Sequence, residues 1–362
     1  MKITVLETKT ICDNPDSALH NYFAWPSVAR LQDGSLAMVA SGFRIAHICP
    51  FGKSIMTRSY DEGKTWSRPT VIIDTPLDDR DSGIVPFGEN SHIVTSFNNT
   101  IAAQRGWNAG KNAYIDAYLD KIDAKAAESR YLGSTFVISN DGGVTYSEVK
   151  RMPVTSPHGP CVLNDGSLLY VGRTFSPCDT EQPEDHIAAY LLHPDGSYEK
   201  RGDIENVTDY LLSCEPHAIC LPSGKIIVHI RVQGGGQAAG YQDAYFTIYQ
   251  SESYDGGFTF TKPHPILDKT GGAPAHLLCL PDGRLISVYG YRNPPYGIKV
   301  MISEDEGQSW DTGHDLYVNG ITPDLGYPAS VLLENGNILT VFYAHTAPSA
   351  PASILQTVWR ID

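Results

Sequence analysis

Positive charge is scarce in this chain. Twenty-seven lysines and arginines face 41 aspartates and glutamates, giving a formal net charge of −14, and no long basic run offsets it. Binding a nucleic-acid backbone requires a cationic footprint that displaces counterions, so the sequence argues against a nucleic-acid partner. Long apolar runs are also missing, and none reaches the length of a membrane span. The opening Met1-Lys-Ile-Thr-Val reads as a strand, without the apolar stretch of a secretory leader. The seven cysteines (Cys12, Cys49, Cys161, Cys178, Cys214, Cys220 and Cys279) leave at least one unpaired, and no metal-type C-x-x-C occurs. A reducing, cytoplasmic setting is the simplest expectation, or a secreted or periplasmic one if a leader has been trimmed. No cofactor is called for, no membrane partner is expected, and the oligomeric state stays open.

Turn-formers and strand-formers are plentiful. Thirty-three glycines, 24 prolines and 20 tyrosines suit many short strands joined by many turns. A phrase of apolar strand, Asp-Gly-type turn and apolar strand recurs around Asp33-Gly34, Asp165-Gly166, Ser223-Gly224, Asp282-Gly283 and Asn335-Gly336, with a weaker copy around Gly88. Asp-Gly and Asn-Gly tolerate the positive φ of a two-residue hairpin, so each phrase reads as a hairpin, and there are six. Each is followed by further strand-like sequence. The expectation is therefore a single all-β domain over residues 1–362, a six-bladed β-propeller with four-stranded antiparallel blades. Ile3 to Ile11 is expected to pair with the closing strand Ile354–Trp359 and so complete the last blade. Residues 112–131 have helical apolar spacing and read as a helical insertion in blade two.

A second phrase, S-x-D-x-G-x-[ST]-aromatic, occurs at Ser59–Trp66, Ser139–Tyr146, Ser253–Phe260 and Ser303–Trp310. Its Asp can accept backbone N–H groups, its Gly can turn left-handed, and its aromatic can pack beneath the hairpin. His193–Tyr198 is a degenerate copy, and blade six has none. The pattern resembles the Asp-box, or BNR repeat, of the sialidase (neuraminidase) superfamily, and the resemblance runs along nearly the whole chain.

In an up-and-down blade the strand 1–2 and strand 3–4 turns share one face. The Asp-Gly turns and S-x-D-x-G turns therefore lie at the bottom, and the ligand site is expected on the opposite rim. There the resemblance to sialidases implies roles for particular residues. Glu215 matches the glutamate that activates a tyrosine nucleophile, and Tyr327 in Asp324-Leu-Gly-Tyr327-Pro matches that nucleophile. Arg231 and Arg292 match two arginines of the carboxylate-binding triad, and Arg44 a further arginine of blade one. Two departures stand out. Ala24-Trp25-Pro26 replaces the family's Arg-Ile-Pro, and the loop after Arg44 has His47 but no carboxylate. The general acid is then His47 or a member of the Asp78-Asp79-Arg80-Asp81 cluster, Asp79 or Asp81. Trp25, Arg80, Arg173, Tyr343 and the histidines His158, His217 and His276 complete the expected substrate contacts.

These three histidines begin repeated H-x-x-C phrases. On a strand, positions i and i+3 point to opposite faces, so His and Cys of one phrase do not readily share an ion. The implied activity is a retaining exo-glycosidase that removes a terminal acidic sugar, sialic acid or a relative, from a glycan. Two alternatives remain open: a uronic-acid-directed hydrolase or lyase using histidines or a metal, and a non-catalytic glycan-binding propeller.

Overall fold

The computed structural model describes residues 1–174, 186–207, 211–236, 241–267 and 272–362. Six antiparallel sheets follow one another in chain order and form the blades of a propeller. Blade one contains Tyr22–Arg30, Leu36–Arg44, Lys53–Ser59 and Thr70–Ile73, counted outward from the axis. Blades two, four and five repeat that plan. In blade three the innermost strand is split into Val154–Thr155 and Cys161–Val162, which both pair with Leu168–Thr174. Blade six takes its outermost strand from the other end of the chain: Ile3–Cys12 pairs with Ala352–Ile361, from Ile3 opposite Ile361 to Cys12 opposite Ile354. This closure leaves no long unpaired inner edge.

The hairpins form for the expected reason. Gly34, Gly166, Gly224, Gly283 and Gly336 all have φ between 81° and 89°, which L residues rarely adopt. The S-x-D-x-G turns are closed by a common set of bonds. In the first, Ser59 Oγ accepts from Gly63 N at 2.8 Å, while the Asp61 carboxylate accepts from Thr65 N and Oγ1 at 2.8 and 2.6 Å. Asp61, Asp141, Asp255 and Asp305 are each held down to about 2 by such bonds, led by the hydroxyl of the following Thr or Ser. Their carboxylates are spent on the turn. Trp66 and Trp310 then donate Nε1–H to Gln356 and Gln250 of the neighbouring blade. The degenerate copy behaves differently: His193–Ser197 is an ordinary hairpin turn, with Asp195 bonded to Ser197.

The insertion departs from expectation. Three short helices replace one helix: α1 (Ile101–Asn108), α2 (Ala113–Lys121) and α3 (Ala124–Tyr131). Thr100, Asn112 and Asp123 cap the three N-termini with side-chain oxygens, and Ile122 takes an extended conformation that breaks the run. The helices pack Ile101, Ile115, Leu119 and Ala127 against Cys49, Leu77 and Leu132. They lie between the second and third strands of blade two, over the rim. None of the described helices is long and apolar enough to cross a membrane. The six cysteines among the described residues are all free, and Cys178 lies outside that set.

Candidate active site

A repeated backbone irregularity builds the rim. In blades one, two, four, five and six the pairing of the innermost strand with the next slips near its start, so extra residues face a shortened partner. Such a β-bulge re-aims a side chain. Four bulge residues have positive φ without being glycine: Trp25 (55°), Asp81 (44°), Glu215 (45°) and Tyr327 (51°). The left-handed region costs such residues about 1–3 kcal/mol each, a strain that concentrates at functional sites. Proline follows three of them, at Pro26, Pro216 and Pro328. Proline has no N–H to contribute to the ladder, which suits the gap in pairing.

Glu215 and Tyr327 meet across the axis. Tyr327 Oη donates to Glu215 Oε1 at 2.6 Å, and Arg231 Nη1 donates to Glu215 Oε2 at 2.5 Å and to Tyr327 Oη at 3.3 Å. Burial pushes the Glu215 carboxyl up, but Arg231 and the Tyr327 hydrogen bond outweigh it, so Glu215 sits below its usual range. Burial beside Glu215 and Asp81 drives the Tyr327 phenol far up. The pair is thus a neutral phenol donating to an ionised carboxylate.

A cavity of about 290 Å³ opens beside Glu215, lined by Asp81, Glu215, Arg80, Arg173 and Gln233 on its polar side, while Tyr327, Arg231 and Arg292 lie outside the lining. Ile48, Phe97, Trp107 and Leu212 make its apolar side. Asp81 is 4% exposed, and its Oδ1 has no hydrogen-bond partner among the described residues. Burial, with Glu215 and Asp78 nearby and Arg80 opposing, raises its carboxyl to about 7. One carboxyl ionised and one that still holds its proton in part near neutral pH is a division of labour suited to acid–base work.

The other expected residues divide by location. Arg80 and Arg173 line the cavity. Arg80 also donates to the His47 carbonyl at 2.8 Å and stacks over Trp25 at 4.0 Å. Arg292 lies 5.9 Å from the Tyr327 ring but donates Nε–H and Nη2–H to the Leu325 carbonyl. Trp25 is buried, sandwiched with Arg44 and Arg80, its ring 6.3 Å from that of Tyr327. Tyr343 is buried beside both and donates to Asp324 at 2.9 Å.

Several expectations need correcting. Arg44 is not presented to a ligand: it forms an ion pair with Asp78 at 2.7 Å, and neither side chain is exposed. Asp79 is sealed within blade two, where its carboxylate accepts from Thr75 N at 2.6 Å and Thr75 Oγ1 at 2.9 Å. Burial raises it to about 7 as well, but it does not line the cavity. His158 and His217, both buried, cluster with the partly buried His276 away from the cavity lining, with ring centroids 4.4–5.5 Å apart. His47 is half-exposed and lies outside the lining, with Nδ1 on Asp324 Oδ1 at 3.1 Å and on Tyr22 Oη at 2.9 Å. Burial lowers its pKa against the pull of Asp324.

Sequence reasoning missed the hub of that last network. Asp324 receives Tyr22, Tyr343, His47 and His345, and these bonds hold its carboxyl far below the ordinary range against the effect of burial. It stands three residues before Tyr327, and no spacing rule marks it. Trp107 was missed because α1 was not expected. Among the described residues no group of three or more His, Cys, Asp or Glu side chains is arranged to hold a metal ion.

Six radial four-stranded blades, with a glutamate, a tyrosine and an arginine meeting at the rim, define a six-bladed β-propeller. The chain belongs to the BNR repeat-like domain family, whose profile matches residues 117–340. Among curated proteins the sequence finds no match. Among solved structures, a protein of unknown function from Dyadobacter fermentans is similar with a TM-score of 0.75 and 21% identity over 99% of both chains. The NanB sialidase of Streptococcus pneumoniae has a TM-score of 0.67 and 15% identity over 98% of this chain and 70% of its own. A GH93 α-L-arabinofuranosidase of Fusarium graminearum has a TM-score of 0.66 and 13% identity over 98% of this chain and 97% of its own. At such identities the likeness is one of fold.

Proposed function

We propose that the chain is a retaining exo-glycosidase that removes a terminal acidic sugar from a glycan. The observation that carries this reading is the 2.6 Å bond from Tyr327 Oη to a Glu215 held ionised by Arg231, beside a cavity that also holds a raised carboxyl. Glu215 takes the phenol proton as Tyr327 Oη bonds to the anomeric carbon, while Asp81 protonates the departing glycosidic oxygen. Asp81 then takes a proton from water, which attacks the anomeric carbon. The C–O bond to Tyr327 breaks and Glu215 returns the proton to the phenolate. A neutral nucleophile suits a substrate whose own carboxylate would repel an anion. Arg80, Arg173, Arg231 and Arg292 provide the cationic surroundings for that carboxylate.

A second reading has its own support. Ala24 stands where sialidases carry the first arginine of the triad, and Arg44 is committed to Asp78. A smaller acid, a uronide, or a neutral pentose then fits the site, the last in keeping with the fold's likeness to an arabinofuranosidase. Fluorogenic sialoside, uronide and α-L-arabinofuranoside substrates, offered to the unmodified protein, Tyr327→Phe and Glu215→Gln, separate the cases. Turnover of one class that falls at least about 100-fold in both variants is expected. Glycan binding without turnover of any substrate would mean a binding propeller and would defeat the catalytic reading.

A further inference from the structure

Tyr327 sits at the end of a short, strained segment. Gly326 and Tyr327 open the innermost strand of blade six, Gly326–Leu332, with φ of 124° and 51°. A tyrosine in the left-handed region persists only where its surroundings over-determine it. Three ties fall on the segment from Asp324 to Tyr327. Glu215 and Arg231 hold the phenol itself. Arg292 donates Nε–H and Nη2–H to the Leu325 carbonyl at 3.1 and 3.0 Å. The third tie is Asp324, which no step of the proposed reaction uses.

Each Asp324 oxygen accepts two bonds. Oδ1 takes Tyr343 Oη at 2.9 Å and His47 Nδ1 at 3.1 Å, and Oδ2 takes Tyr22 Oη at 2.8 Å and His345 Nε2 at 3.0 Å. Tyr22 and His47 belong to blade one, Tyr343 and His345 to the second strand of blade six, Ile338–His345. The carboxylate thus ties the entry to Tyr327 to the next blade and to the strand beside it. Tyr343 adds a second route. It faces Gly326 in the ladder, it is fully buried, and its ring lies 6.0 Å from that of Tyr327. Its hydroxyl ends on Asp324, so Asp324 also fixes the ring that flanks the phenol.

His345 shows the charge of this hub. Its Nε2 faces the Asp324 carboxylate at 3.0 Å and its Nδ1 the Ala350 carbonyl at 2.8 Å. Four donors fill the lone pairs of an ionised Asp324, and a carbonyl has no proton to give. The ring therefore carries both N–H groups and is an imidazolium. Asp324 pulls His345 above its ordinary value, against the effect of burial. Charge-assisted bonds of this kind are the strong ones, and an amide cannot replace them. It would accept at one oxygen only and turn an N–H group on the two donors that meet the other.

We infer that Asp324, with His345 as its cationic partner, is a positioning residue for Tyr327, keeping the phenol where Oη reaches Glu215. It acts through the backbone of Leu325 and Gly326 and through the ring of Tyr343. Its catalytic weight rests on Tyr327 being the nucleophile of the proposed reaction; the hold on Tyr327 exists in a binding propeller as well.

The bond from Tyr327 to Glu215 supplies the readout. At 2.6 Å between a buried phenol and a carboxylate, its proton resonates far downfield in the NMR spectrum of the unmodified protein, and Tyr327→Phe identifies the signal by removing it. Asp324→Asn should move that signal upfield or broaden it away. Tyr343→Phe, which keeps the packed ring and removes one hydroxyl, should shift it in the same direction. Kinetics are read on whichever fluorogenic sialoside, uronide or arabinofuranoside the unmodified protein turns over. Both variants should lower kcat at least about 10-fold with KM within about 3-fold. A signal unmoved in both variants would overturn the proposal. So would a fall in kcat matched by an equal loss of folded protein, which is what a merely structural role produces. No turnover by the unmodified protein would defeat the catalytic reading alone, because the signal still reports how Tyr327 is held.

Discussion

Replacing Arg44 with methionine tests whether that guanidinium serves the ligand or the fold. Asp78 is fully buried, in an ion pair with Arg44 Nη1 at 2.7 Å, and accepts from three donors: Cys49 N and Gln104 Nε2 at 3.1 Å and Arg80 Nη1 at 3.5 Å. Burial presses its carboxyl upward, and Arg44 followed by Arg80 more than reverses this. Arg44→Met removes the nearest cation and leaves a buried carboxylate with two neutral donors and one long ion pair. Removing one partner of a buried pair costs about 3–5 kcal/mol. The lost bonds to Ser41 Oγ and the His47 carbonyl are part of the same disruption. A loss of about 4 kcal/mol at pH 7 is expected, read from urea unfolding midpoints at a common slope.

The pH dependence gives an independent sign. In the unmodified protein the folded Asp78 pKa is depressed. Its stabilisation is present above the ordinary carboxyl pKa and disappears as pH falls through the lower folded value. In Arg44→Met burial dominates and the folded pKa rises. The variant then takes up a proton on folding, and its deficit shrinks as the medium is acidified from pH 7 to pH 5. Adding Asp78→Leu should restore most of the lost stability, because no bare charge remains. A deficit under about 1 kcal/mol at pH 7 with no pH dependence would refute this reasoning. It would mean that Arg44 is solvated and free to meet a ligand.

Two further predictions follow from the same region. Gly52→Ala should unfold the protein at lower urea, by about 1–3 kcal/mol, since an added Cβ would lie 2.0 Å from Arg44 Nη1 and 2.6 Å from Asp78 Oδ1. An unchanged midpoint would mean that the loop moves aside at no cost. If Asp81 is the acid, kcat/KM should fall as pH rises through about 7, where its raised carboxyl loses the proton. Asp81→Asn should lower the rate and flatten that alkaline limb, and an unaltered limb in the variant would assign it to another group.

Much of the architecture could be read without coordinates. The repeated Asp-Gly hairpins and the S-x-D-x-G turns depend on residues a few positions apart, so local backbone preference marks them directly. The extended Ile3–Cys12 strand also had the apolar pattern needed to close blade six. The insertion was read only in part, since Thr100 and Asp123 cap helices whose short apolar faces barely stand out from the background.

The sequence by itself determined the six-fold repeat, the face that carries the turns, and the presence of Glu215 and Tyr327 at the entries of inner strands, with Arg231 late in a second strand, on the opposite rim. Tertiary structure decided how those groups are used. Whether an arginine meets a ligand or an aspartate depends on what lies across the fold: Arg44 met Asp78 in a sealed pair, whereas Arg231 met Glu215 at the rim. Asp79 and Asp81 are two residues apart, yet Asp79 turns to Thr75 and Asp81, itself a bulge residue with positive φ, lines the cavity. Charge state follows the same logic. The repulsions and ion pairs that set it fall off within a few ångströms, and residues 112 positions apart, such as Glu215 and Tyr327, come within that range only when the ring of blades closes.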